Sequence, residues 1–154
     1  MTTKIARICL AIVFAATLAI TAVEPAHAAG PCSLARAAGN YSFTDNGTVI
    51  GVGPRTAVGT LTLDSRGNIP NGVATSSLNG SIAVETVSGT YTVNPDCSGN
   101  IDVKIYSGGT ELFEITGAIA FDDDVKQIRG IFTSVTAPDG TVLLTVINLE
   151  ARKQ

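Results

Sequence analysis

Residues able to do chemistry are few in this chain, and their positions narrow what that chemistry is. The only histidine, His27, and one of the three cysteines, Cys9, fall in the first 28 residues; the other cysteines are Cys32 and Cys97. Lys4, Arg7, an apolar run from Ile8 to Val23 and Ala26-His27-Ala28 follow the order of charge, greasy segment and A-x-A site of a secretory signal peptide, so cleavage before Ala29 is expected. Histidine-based serine or cysteine triads and the usual zinc sites would leave with that segment. Carboxylates, Tyr41, Tyr91, Tyr106 and a few Lys and Arg remain for acid, base or nucleophilic work. No catalytic residue, cofactor or metal ligand is assigned. Asp122-Asp123-Asp124 invites a calcium ion, but its spacing fits no EF-hand loop, and three acids in a row at a turn read as solvated.

The expected organisation is a signal peptide over 1–28 and a single domain over 29–154. Cleavage takes Lys4, Arg7 and Glu24 from 10 basic and 13 acidic residues, leaving 8 against 12 and a net charge of −4. Such a chain has no basic footprint for nucleic acid. No second long apolar run exists to span a membrane as a helix. A secreted or periplasmic location follows, and there the pair Cys32 and Cys97 most simply forms one disulfide.

From Asn40 onward, short runs of Val, Ile, Thr, Tyr and Phe are punctuated about every ten residues by Gly, Asn, Asp or Pro, the signature of an all-β sandwich or barrel. Strands are predicted near 40–51, 55–64, 68–78, 81–94, 99–107, 111–121, 126–137 and 140–150. Ser65-Arg66-Gly67-Asn68, Asn79-Gly80, Gly108-Gly109 and Asp139-Gly140 supply turn positions that tolerate positive φ. Short connections make sequential strands antiparallel neighbours, and eight of them hide their edges best as an up-and-down barrel, with a β-sandwich as the alternative. Parity agrees: Cys32 before the first strand and Cys97 after the fourth lie at the same end, within disulfide reach.

Alternation places Tyr41, Phe43, Asp45 and Val49 on one face of strand one, Ile101, Val103 and Ile105 on one face of strand five, and Glu111, Phe113, Ile115, Ile119 and Phe121 on one face of strand six. These faces are assigned to the interior. Asp45, Arg55, Glu85 and Glu111 then fall toward the end opposite the cysteines, where with Phe113 they are candidate ligand-binding residues at a polar mouth. Carboxylates at solvated strand ends are the commoner arrangement. Strands six to eight are apolar on both faces, as in Ala118 and Ala120, Ile131 and Val135, Leu144 and Val146, which suggests a homo-oligomer contact.

Three blocks, Gly39-x-Tyr41-x-Phe43, Gly59-x-Leu61-x-Leu63-Asp64-x-x-Gly67-Asn68 and Gly89-Thr90-Tyr91-Thr92-Val93-Asn94-Pro95-Asp96-Cys97-Ser98-Gly99, resemble a group of small exported bacterial proteins of unassigned function. The architecture resembles the calycin type, that of lipocalins and allene oxide cyclases. In that resemblance Tyr41 stands where lipocalins place a tryptophan, and Arg129 or Arg152 takes the part of the arginine that packs over it. The resemblance implies a small apolar ligand held in a barrel cavity. Two alternatives stand beside such a secreted binding protein: an isomerase or cyclase of the allene oxide cyclase kind using Glu85 or Glu111, and a structural or adhesive envelope protein acting through self-association.

Overall fold

Turn chemistry sets the ribbon lengths, and a computed structural model, which describes residues 32–122 and 124–154, shows how they assemble. The expected signal peptide, its cleavage site, Cys9 and His27 lie outside the described residues, as does Asp123. A four-residue helix α1 (Leu34–Ala37) precedes strands β1 (Gly39–Val49), β2 (Gly53–Leu63), β3 (Asn68–Ile69), β4 (Asn71–Leu78), β5 (Ser81–Tyr91), β6 (Ser98–Ser107), β7 (Thr110–Phe121), β8 (Gln127–Thr136), β9 (Val142–Leu143) and β10 (Thr145–Lys153). β3 and β4 form one ribbon interrupted at Pro70, which has no N–H to give a ladder. β9 and β10 make another, broken at Leu144, so ten strands are eight ribbons.

Each ribbon pairs antiparallel with the next, and β10 pairs with both β8 and β1. The sheet therefore closes on itself as an eight-stranded up-and-down barrel, and the sandwich alternative is set aside. The last ribbon runs to Lys153 rather than 150, because Tyr41 at the start of β1 pairs with Lys153. The predicted turns hold: Asn79 and Gly80 have φ of 49° and 86°, Gly108 and Gly109 of 57° and 83°.

Inward positions follow the expected alternation in β1 and β6, where Tyr41, Phe43, Asp45, Val49, Val103 and Ile105 are buried. β7 departs from it. Ile105 opposes Phe113 but Tyr106 opposes Glu111, so Leu112 is an extra residue and the ladder shifts there. A second bulge lies between Thr116 and Gly117, where Ser134 and Phe132 are the successive partners on β8. It returns Val135 to the interior beside Phe132, which accounts for part of the two-faced apolar pattern of that strand. The close approach of β5 to β6 also needs Gly89: a Cβ there would collide with the Asp102 carbonyl oxygen on β6.

One end of the barrel is plugged. Cys32 and Cys97 are bonded, with Cα atoms 5.1 Å apart, and so tie the segment carrying α1 to the β5–β6 turn. Ser33 caps α1 by accepting from Arg36 N, and Ala37 is fully buried. Tyr41 OH is within hydrogen-bond reach of the carbonyls of Ala37 (2.8 Å) and Val125 (3.2 Å), and Tyr91 OH reaches those of Leu34 and Asp64. Burial, with Asp122 near Tyr41 and Asp64 near Tyr91, pushes both phenols up to about 12, so both remain donors through the neutral range. The partner over the Tyr41 ring is Lys153, its Nζ 6.0 Å from the centroid, while donating to Arg36 O. Arg129 and Arg152 are exposed on the outer surface, so neither takes the lipocalin arginine's part.

Candidate functional site

Away from the plug, the same alternation that turns Phe43 inward turns Asp45 inward, and it does the same for Arg55 on β2, Ser76 on β4 and Glu85 on β5. All four are buried, with 2% of Asp45, 7% of Arg55 and 2% of Glu85 exposed. They form a fixed polar cluster in the barrel wall rather than a wet mouth, and the solvated-strand-end reading fails for them. Ala57 and Ala74, small and buried on the same two strands, share the inward face with Arg55 and Ser76.

Arg55 grips Glu85 with two parallel hydrogen bonds, Nη1 to Oε1 at 3.2 Å and Nη2 to Oε2 at 3.1 Å, and Ser76 Oγ donates to Glu85 Oε1 at 2.6 Å. Asp45 is held more loosely, by Nη2 to Oδ2 at 3.4 Å. Arg55 Nε lies 3.3 Å from Asp45 Oδ1, close enough for an ion pair but not aligned as a hydrogen bond. Burial raises the Asp45 pKa against the opposing pull of Arg55. For Arg55, burial works toward loss of the proton, but the hydrogen bond to Glu85 and the two carboxylate charges outweigh it and the pKa is raised. With all three groups ionised, the cluster carries one net negative charge.

Asp45, Arg55 and Glu85 line a cavity of about 50 Å³ whose other walls are mostly apolar, among them Phe43, Val87, Val103, Ile105 and Ile115, with Tyr91. Other candidate residues sit elsewhere. Glu111 does not join the cluster: the bulge at Leu112 turns it to the outer surface, where both its oxygens accept from the half-exposed Lys104, at 3.3 and 3.1 Å. Phe113 stays inward and packs against the core without lining the cavity. Of the two carboxylates open to an isomerase, Glu111 is thus outside the barrel and Glu85 is held by Arg55 and Ser76. Asp122 is spent on its own turn, accepting from Lys126 N and Gln127 N at 2.6 and 3.0 Å. Ser76 carries no sequence signal beyond its place in the inward series Gly72, Ala74, Ser76.

The barrel fold has a counterpart among solved structures. EF1p2_mFAP2b, solved bound to DFHBI, shares the fold. The two superpose with a TM-score of 0.53 at 16% identity, over 80% of this chain and 98% of that one. A more distant likeness, TM-score 0.42 at 7% identity over 79% of this chain and 90% of the other, is to the S-type phycobiliprotein lyase CPES from Guillardia theta. No family model and no curated protein matches the sequence. The closed barrel fits calycin-like architecture, while the three sequence blocks gain no support at family level. The disulfide is compatible with an extracellular or periplasmic protein. Among the described residues, no helix is long and apolar enough to cross a membrane.

Proposed function

We propose that this chain is an exported binding protein for a small, largely apolar molecule held inside the barrel. The observation that carries the reading is the largely apolar cavity meeting one buried polar cluster, the combination that small-molecule sites use to join affinity to orientation. That EF1p2_mFAP2b was solved with a small molecule bound is in keeping with it. Size bounds the ligand. A volume of about 50 Å³ is far below the roughly 300–1,000 Å³ of sites for drug-sized compounds. It admits roughly three to five water-sized bodies, so the ligand has a handful of non-hydrogen atoms. Methyl-detected NMR of the oxidised protein, titrated with small apolar fragments, is expected to show saturable shifts at Val87, Val103, Ile105 and Ile115. No saturable shift at those methyls with any fragment would remove the reading.

Self-association is a second reading, favoured by the outer surface of β8, β9 and β10: Ile131 is 53% exposed, Leu144 70% and Val146 68%. Ile131 pairs across the ladder with Asn148, two residues from Val146, so the patch is continuous. Light scattering is expected to report a dimer that Ile131→Lys with Val146→Lys converts to monomer; a monomeric parent protein at high concentration would count against it.

A further inference from the structure

The polar cluster is incomplete in a specific way. Both Glu85 oxygens are engaged, and Asp45 Oδ2 accepts from Arg55. Among the described residues, two buried side-chain atoms are left without a hydrogen-bond partner, Asp45 Oδ1 and Arg55 Nε. They are 3.3 Å apart, and both belong to residues that line the cavity. One accepts and the other donates.

Buried polar atoms are almost always paired, so such a couple selects what completes it. A group that satisfies both must give a proton to Oδ1 and take one from Nε–H. An ammonium has protons but no lone pair, and it would face the Arg55 charge. A carboxylate has lone pairs but no proton, and it would enter a cluster already carrying two carboxylates and one guanidinium. A hydroxyl oxygen does both at once. The remaining walls are apolar, among them Ile105, Ile115 and Val87, except for Tyr91, whose OH is already bonded to the Leu34 and Asp64 carbonyls, so they suit an alkyl group.

Resting on the small-molecule reading above, we propose that the ligand is an uncharged alcohol, its hydroxyl bridging Asp45 Oδ1 and Arg55 Nε and its short alkyl part filling the apolar cavity. The cluster then reads the head group and the cavity reads the length.

The test uses four matched probes, butan-1-ol, 1-chlorobutane, butan-1-amine and butanoate, each titrated against the methyl resonances of the cavity wall in the oxidised protein. Butan-1-ol is expected to bind about tenfold more tightly than 1-chlorobutane, what its two hydrogen bonds leave after the hydroxyl's lost hydration, with both ions weaker than either. Asp45→Asn keeps the size of the side chain but can present its NH₂ where Oδ1 stood. That gives two donors in a cluster of zero net charge. In this variant the preference for alcohol over 1-chlorobutane is expected to shrink and butanoate to gain, a reversal that loss of packing would not produce. Equal binding of butan-1-ol and 1-chlorobutane, or tighter binding of either ion to the parent protein, would overturn the alcohol assignment and leave the cavity reading intact. Absence of binding by all four would overturn both.

Discussion

Arg55→Met is expected to lower stability by about 3–5 kcal/mol near pH 7, the usual result of stripping the partner from a buried charge. Methionine replaces the alkyl stem but leaves Asp45 and Glu85, each 2% exposed, without the guanidinium between them. The pH dependence distinguishes this from lost packing. Burial already raises the Asp45 pKa with Arg55 in place, and removing the cation removes a force that lowers it. The folded variant thus holds a proton on Asp45 that the unfolded chain has released, and its stability falls as pH rises through that window. Urea melts should accordingly show the deficit shrinking from pH 7 toward about pH 4, where the unfolded carboxylates also protonate. An equal deficit at both would mean that the stem, not the charge, matters.

Replacing Cys32 and Cys97 together by serine is expected to cost about 2–4 kcal/mol, since the bridge closes a loop of sequence separation 65. Its effect should also be uneven. A helix of four residues cannot stand alone, so α1 depends on the disulfide, on Tyr41 and Tyr91, and on the burial of Ala37. In hydrogen exchange, the Ala37 and Ala38 amides, bonded to the Ser33 and Leu34 carbonyls, should approach free rates while the β1 and β10 ladder stays protected. An unchanged melting temperature on reduction would show that the plug is held by packing alone.

Much of the barrel was legible because its signals are local. Gly108-Gly109 and Asn79-Gly80 can occupy positive φ whatever surrounds them, and the count of ribbons between such turns put Cys32 and Cys97 at one end. Alternation correctly turned Asp45 inward with Phe43. It failed at Glu111, because one unpaired residue, Leu112, reverses every face assignment on its far side. Lys153 over Tyr41 was equally hidden, since it depends on the last ribbon pairing with the first, a contact spanning most of the domain.

The amino-acid sequence by itself determined an all-β chain of eight short ribbons, which of their residues face inward over unbroken stretches, and one sulfur bridge. Only tertiary structure decided that the sheet closes, and that Arg55 gathers Asp45 and Glu85 from strands separated along the chain into one buried cluster beside a small cavity. The division has a physical reason. Turn and strand preferences act between neighbours in sequence, whereas ladder register, bulges and burial of charge depend on which distant strands lie side by side.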